Sequence, residues 1–336
     1  MSENGDARMA RASVLAFEAE RLWLAGEAVT AFETLFLALR LAPDALHLHI
    51  LFFRRLSQCP AEQVEPLAGL WAEVFRTGLG ITVCQDVLVE LFAEDPERYE
   101  LFLGLAVFEV RRKRPEAAEA LFFHCQNPVD SGAVWTTESV LGKYQAGAES
   151  YDAALFHEET AAEFIAAVDR RLTGRTGLAI IDVACGTGAL AEGLRPYAAN
   201  LTGIDLSPDM AHQAVARYDR FMVGDMVERL TAIVCEADAV VCCGAVYYLD
   251  DVTPFLRAAA AALRPGGMLI FSDFAAPEGG GTRVTCGGTR RFCHAPDQVR
   301  AAAGLAGLAE IGVDFGTSYA LPVRFWSFRL TPSAAS

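Results

Sequence analysis

The sequence predicts an α/β protein in two parts, an all-helical front half followed by a parallel β-sheet covered by helices on both faces. Three observations carry this. From Ala10 to about Gln126, apolar residues recur at three- and four-residue spacing, glycine is sparse and β-branched runs are absent, which is the pattern of packed amphipathic helices. From Leu178 onward the apolar residues gather instead in short continuous runs: Leu178 to Val183, Leu201 to Asp205, Phe221 to Val223, Ala239 to Cys243 and Met268 to Asp273. Such runs alternating with helical stretches imply βαβ units, with a ligand crevice at the strands' C-terminal ends. Between the two halves, residues 127–150 hold Pro128, Gly132, Gly142 and Gly147 among polar residues, the composition of a connector with one short helix around Thr136 to Lys143. The expected organisation is therefore a helical domain over 1–126, a linker over 127–150 and a second domain over 151–336.

Composition narrows the class. Of 336 residues, 53% are apolar and 21% charged, enough for substantial cores in two domains. The 28 Lys and Arg against 43 Asp and Glu leave a formal charge of −15, which repels phosphate backbones and anionic membrane surfaces at long range. Nucleic acid and membranes are thus not expected partners. The nine cysteines show no repeated Cys-x-x-Cys and no His spacing suited to zinc, so a reduced compartment and no metal are expected. Met1 to Ala10 carries Glu3, Asp6 and Arg8 without an apolar core and does not read as a signal peptide. No uncharged apolar stretch approaches the roughly 20 residues of a membrane helix. A soluble, cytoplasmic protein is the expectation.

In the helical half, residues 12–45 place Gly26, Ala31, Ala38, Leu39, Leu41 and Pro43 where two antiparallel helices cross on small side chains and proline ends the second. These offsets resemble a tetratricopeptide repeat, with a degenerate second copy around Arg114 to Ala118. An ordinary alanine-rich helical hairpin is the alternative reading of the same residues. The resemblance implies a surface for a partner, including a second copy of this chain as a homodimer. The run Arg111 to Arg114 is expected on a turn between helices.

In the second half a helix from about Tyr151 to Leu172 precedes the first strand. That strand ends Ile180, Ile181, Asp182, Val183, followed by Ala184, Cys185, Gly186, Thr187, Gly188 and a helix. The glycines allow a sharp turn and a close approach of backbone to ligand. The second strand ends at Asp205, 17 residues beyond Gly188, then Leu206, Ser207, Pro208, Asp209 and Met210. Ser207 or Asp209 also suits a helix N-cap. Phe221 to Met226 holds a Gly224-Asp225 step, and the fourth strand runs into Cys243, Gly244, Ala245, Val246, Tyr247, Tyr248 and Leu249. The turn Arg264, Pro265, Gly266, Gly267 leads into the fifth strand.

Taken together and in this order, these segments resemble the motifs of class I S-adenosylmethionine-dependent methyltransferases, and with the helical front half they resemble the bacterial members that carry tetratricopeptide repeats. The departure is Ala184, where glycine is commoner. The resemblance implies a Rossmann-like seven-stranded methyltransferase sheet behind an all-α TPR-like domain, and S-adenosylmethionine as cofactor. It implies cofactor contacts from Tyr151, Asp182, Ala184, Gly186, Gly188, Asp205, Leu206, Met210, Asp225, Met226, Cys243 and Gly244. Asp205 would accept the ribose hydroxyls, and Asp225 with the next amide would meet the adenine.

The glycine loop alone also fits the Gly-x-Gly-x-x-Ala pattern of dinucleotide folds. Asp182 weighs against that reading, because a carboxylate beside the loop opposes a pyrophosphate and favours a sulfonium and an ammonium. The readings to be separated are a methyltransferase acting on a small molecule or a protein or peptide group, a silent methyltransferase fold that serves as a scaffold, and an NAD(P)-dependent oxidoreductase. Methyl transfer needs alignment of two reactants more than a base. Where a base is needed, His294 is the first candidate, with His157, Tyr247 and Tyr248 behind it, the other reading of His294 being a helix-start residue bonded to backbone. The glycine-rich segment Pro277 to Gly288 reads either as a cover above the acceptor or as a surface loop, and Arg283, Arg290 and Arg291 either as solvated charges or as a grip on an anionic acceptor.

Overall fold

The computed structural model describes residues 3–77, 83–85, 87–88, 91, 96–128, 136–145, 155–285, 291–318 and 321–332. The chain divides into two compact units, Met1–Gln126 with Thr285–Thr289, and Asn127–Val284 with Arg290–Ser336.

The first unit is helical. Helix α1 (Glu3–Leu24) stops at Gly26, which turns with φ +84, and α2 (Ala28–Leu41) returns beside it. Ala12, Ala16 and Ala19 on α1 and Ala31 and Ala38 on α2 are buried. Small side chains at those positions let the two helices approach closely. Helices α3 (Leu46–Leu56), α4 (Ala61–Ala72), α5 (Pro96–Arg111) and α6 (Pro115–His124) follow, and Arg112 to Arg114 form the turn between the last two. Their core is aromatic. Trp71 meets Phe53, Phe75 and Phe102 edge-to-face with centroids 4.8, 4.8 and 5.0 Å apart, a geometry that adds to plain burial.

A buried polar chain runs through this core. The Trp71 indole donates to His49 Nδ1 at 3.0 Å, and His49 Nε2 donates to the Pro43 carbonyl at 2.7 Å. Both contacts suit the neutral ring, and burial holds the His49 pKa below its ordinary value despite the carbonyl's opposing pull. An unfolded chain therefore takes up this proton first. The stability His49 contributes is full above about pH 6.5 and is lost as pH falls toward the depressed folded value. Thermal melts are expected to show the helical unit weakening from neutral pH to about pH 5. His49→Gln, which keeps a donor and an acceptor in place, should flatten that dependence.

The second unit opens with β1 (Asn127–Pro128), α7 (Thr137–Gln145) and α8 (Leu155–Leu172), then alternates: β2 (Leu178–Val183), α9 (Ala191–Leu194), β3 (Ala198–Asp205), α10 (Pro208–Ala214), β4 (Arg220–Val223), α11 (Met226–Thr231), β5 (Ala237–Cys242), α12 (Thr253–Ala262) and β6 (Leu263–Ala275). It closes with β7 (Arg283–Thr285), β8 (Arg291–His294), α13 (Pro296–Leu305), β9 (Leu308–Ser318) and β10 (Leu321–Leu330). The central order is β4-β3-β2-β5-β6-β10-β9, with β10 antiparallel to both neighbours and the other pairs parallel. This is the expected seven-stranded Rossmann-like sheet. It is extended by three short strands: β8 takes the edge of β6 at Phe274 and Ala275, beyond the last β5 pairing at Phe271, and β7 and β1 follow. The Arg264 to Gly267 turn is absorbed into β6 as a register shift opposite Ala237 to Ala239.

Side chains alternate across the sheet. Ile181, Val183, Val240, Cys242, Leu269 and Phe271 pack with Phe255, Ala259 and Ala303 of the helices on one face. On the other face Phe164 of α8 meets Phe325 edge-to-face at 5.4 Å. After β2 the chain builds outward to β3 and β4, then crosses to β5 on the opposite side. The crevice between the C-terminal ends of β2 and β5 is therefore a topological switch point, where open α/β sheets bind ligands.

Candidate functional site

At that switch point the chain leaves β2 through a tight loop. Ala184 and Gly186 both have φ +54, and Gly188 has φ +87. The left-handed region costs an alanine roughly 1–2 kcal/mol, so the position that departs from the family motif is one where the backbone asks for glycine. The loop is tied to β3 by two contacts: the Cys185 amide donates to the Ile204 carbonyl at 3.0 Å, and the Gly186 amide to Asp205 Oδ2 at 2.7 Å. Asp205 Oδ1 accepts the Ser207 amide at 2.8 Å. Burial raises the Asp205 pKa and these backbone donors work against it. Ser207 caps α10, its hydroxyl accepting the Met210 amide.

A cleft opens beside the loop. Ala184, Gly186, Asp205, Leu206, Met210, Cys243, Gly244 and Tyr248 line it, and its continuations reach Asp225 and Met226 on one side and Tyr247 on the other. Thr136, Thr137, Val140 and Leu141, from the segment expected to be a connector, line it too, as do Thr160 and Ser318. Nothing in the spacing of those residues marked them. Gly244 (φ +80) donates its amide to Ser272 Oγ at 2.7 Å. Burial pushes the Cys243 thiol up to about 12, so it stays protonated and is no nucleophile at neutral pH.

Asp225 sits at the start of α11. Its Oδ1 caps the helix, accepting the Val227 and Glu228 amides at 2.9 and 3.1 Å. Its Oδ2 and the Met226 amide have no partner among the described residues. A free acceptor thus stands beside a free donor at the rim of the cleft.

Asp182 lies beneath the loop and not on the cleft wall. It is fully buried, accepts the Tyr218 hydroxyl on Oδ2 at 2.7 Å, and leaves Oδ1 without a hydrogen bond. Burial raises its carboxyl to about 7, with the Tyr218 hydrogen bond acting downward and Asp205 upward. Gly188 faces the same tyrosine: a Cβ there would lie 2.9 Å from Arg217 Cδ and 3.2 Å from the Tyr218 ring.

His294 is placed differently from its expected role as base. It is 1% exposed, with Nδ1 2.9 Å from Asp273 Oδ2 and Nε2 donating to the Leu249 carbonyl at 2.8 Å. Burial alone would depress its pKa, but the Asp273 carboxylate outweighs that and the value is raised. Both nitrogens are occupied, so no ring nitrogen is left to take a proton from a reactant. The ring instead fastens Leu249, at the end of the Tyr247–Tyr248 turn, to β6. Arg291 is also buried, its guanidinium 5.2 Å from the Tyr247 ring and 5.7 Å from that of Phe274. It packs against both rings. The described part of the glycine-rich segment is anchored, not loose: Gly279 N–H donates to Asp297, Glu278 pairs with Arg300, and Thr282 bonds Gln298. Tyr151, Arg290 and residues 286–288 lie outside the described residues. The same holds for the side chain of His157.

Among the described residues no group of three or more His, Cys, Asp or Glu suits a metal ion, and no helix is long and apolar enough to cross a membrane.

Residues 181–271 match the family model described as a methyltransferase domain. The chain is 30% identical over 114 residues to an uncharacterised methyltransferase of Schizosaccharomyces pombe, covering 30% of this chain and 39% of that protein. It is 36% identical over 104 residues to a ubiquinone biosynthesis O-methyltransferase of Xanthomonas axonopodis pv. citri, 29% of this chain and 43% of the other. It is 33% identical over 150 residues to a malonyl-[acyl-carrier protein] O-methyltransferase of Hahella chejuensis, 43% and 52% respectively. The chain thus spans about half, or less, of the curated relatives it matches. Among solved structures, magnesium protoporphyrin IX methyltransferase from Synechocystis superposes with a TM-score of 0.46 at 17% identity, over 60% of this chain and all of that one.

Gly188→Ala is expected to lower stability by roughly 1–2 kcal/mol, from the left-handed φ and the contact with the Tyr218 ring. Denaturant unfolding with ligand absent measures it, and an unchanged midpoint would mean the loop relaxes freely around the new methyl.

Proposed function

We propose that this chain is an S-adenosylmethionine-dependent methyltransferase whose cofactor lies across the C-terminal ends of β2 and β3. The observation that carries this is the pairing, in one cleft, of the Asp205 carboxylate with the unpartnered Asp225 Oδ2 and Met226 N–H. Two vicinal ribose hydroxyls are donors suited to Asp205, whose oxygens each keep a lone pair after the loop contacts. An adenine edge offers an amino donor beside a ring-nitrogen acceptor, the complement of Asp225 and Met226. Leu206 and Met210 add apolar surface for a flat base.

The short α9 supports the choice against a dinucleotide. It has four residues, too little helix to present a dipole to a pyrophosphate, and Asp182 adds a carboxyl beneath the loop. The same acidic environment favours a cationic ligand. When bound, S-adenosylmethionine supplies a methyl group on a positively charged sulfur, an electrophile with a good leaving group.

What the protein contributes is alignment and exclusion of water. Cys243, Gly244 and Tyr247 line the side of the cleft that faces β5, where an acceptor would meet the methyl group. The Tyr247–Tyr248 pair, with centroids 4.8 Å apart, is held by Arg291 and by the His294 contact to Leu249. No His, Lys, Arg or Glu occurs among the described residues lining the cleft. An acceptor that arrives as a competent nucleophile, or that sheds its proton to solvent, suits this lining, with the Tyr247 and Tyr248 hydroxyls placed to orient it. A small molecule or a protein or peptide group fits this requirement, and oxygen acceptors are named for two of the relatives. The helical unit is the proposed docking element for a macromolecular acceptor or a second copy of the chain.

Isothermal titration is expected to detect S-adenosylmethionine binding and to detect none for nicotinamide dinucleotides. Asp205→Ala should weaken that binding by about 10- to 100-fold, since hydrogen bonds to a charged group contribute roughly 1.5–3 kcal/mol. Tighter binding of a nicotinamide dinucleotide would reverse the assignment.

A further inference from the structure

Resting on the cofactor reading above, we infer that Tyr218 is a positioning residue of the cofactor site, its hydroxyl holding Asp182 as the anion that underlies the glycine loop and favours the sulfonium cofactor over its uncharged-sulfur product.

The geometry around this ring is built to keep it there. Tyr218 lies between α10 and β4, 36 residues from Asp182 in sequence, and is 8% exposed. Its neighbour Asp219 accepts the Leu201 amide at 2.8 Å and Arg195 at 2.7 Å, pinning the segment to β3. The ring packs edge-on to Phe221 with centroids 5.7 Å apart. Two glycines clear its space. A Cβ at Gly203 would sit 2.9 Å from the Phe221 ring and 3.0 Å from Tyr218, and one at Gly188 3.2 Å from Tyr218. Gly188, which the motif suggests faces the ligand, instead makes room for this side chain.

The consequence for Asp182 follows from its surroundings. The titratable groups facing it are Asp205 from β3, Cys185 from its own loop, Cys242 and Cys243 from β5, and Tyr218. Burial raises the pKa values of Tyr218, Cys185, Cys242 and Cys243, so each stays protonated, and it raises that of Asp205 as well. None is a cation. Among the described residues, the hydrogen bond that stabilises the Asp182 anion is the one from the Tyr218 hydroxyl. A buried carboxylate poised near neutrality gains from a cationic ligand only in its ionised form.

The test is Tyr218→Phe, which keeps the ring and removes the donor, with Asp182→Asn as the permanently neutral reference. S-adenosylmethionine and S-adenosylhomocysteine are each titrated calorimetrically between about pH 6 and about pH 9. The two ligands carry the same ammonium and carboxylate, so their ratio isolates the sulfonium. In the wild-type chain the preference for S-adenosylmethionine should rise with pH around the Asp182 transition near 7. In Tyr218→Phe that rise should move up by about one to two pH units, the loss of one hydrogen bond to a charged group. In Asp182→Asn the ratio should be low and flat, and adding Tyr218→Phe should change it no further. An unshifted profile in Tyr218→Phe, or equal pH-independent loss for both ligands, would reduce Tyr218 to packing and overturn the inference. A wild-type chain that binds neither ligand would overturn the cofactor reading itself, and this inference with it.

Discussion

From the end of β3, Asp205 reaches across to the loop that follows β2 and takes the Gly186 amide on one oxygen and the Ser207 amide on the other. Much of the cleft depends on this one carboxylate. It fixes the left-handed run through Ala184 and Gly186, sets the entry of the chain into α10, and remains at the surface of the crevice with lone pairs to spare. A buried acid costs free energy unless its oxygens are satisfied. Here backbone amides satisfy it without using a cation, and the local potential stays negative. That suits a positively charged ligand and not a pyrophosphate.

Around this contact the second layer is arranged to hold side chains still. Tyr218 and Asp219 tie the end of the α10 segment to β2 and β3. On the other side of the switch point, the buried His294–Asp273 pair and the Arg291 guanidinium brace the turn that carries Tyr247 and Tyr248. Breaking one partner of such a buried pair leaves the other uncompensated, and is costlier than the pair is stabilising. The turn that carries Tyr247 and Tyr248 is thus fixed by contacts located one layer behind it.

The sheet was legible because central strands buried on both faces leave continuous apolar runs, a pattern the half-exposed edge strand β4 keeps over Phe221 to Val223, and all five runs named from the sequence fall within β2 to β6 or their immediate ends. The placement of Asp205, Gly186 and Asp225 around one cleft was legible because their spacing relative to strand ends is set by the fold. What the sequence could not show is contact between distant residues. Tyr218 meets Asp182 over 36 positions, and His294 finds Asp273 and Leu249 at 21 and 45 positions. A histidine before a helix gives no sign of which partners it finds, so a base and a residue bonded to backbone read alike, and the structure shows the backbone contact to Leu249. Val140 and Leu141 were hidden by their setting among polar and glycine residues, although they line the cleft. In the first unit, helical periodicity located the elements, while the edge-to-face cluster around Trp71 arises from aromatics scattered over α3, α4 and α5 that no local pattern links.

The central claim is that Asp205 and Asp225 mark the two ends of one nucleoside site. A crystal structure of the chain grown with S-adenosylhomocysteine tests it most directly. The account predicts the ribose on the Asp205 carboxylate and the adenine edge at Asp225 and Met226. Ligand bound away from both aspartates, or a cleft that stays empty at saturating ligand, would contradict it.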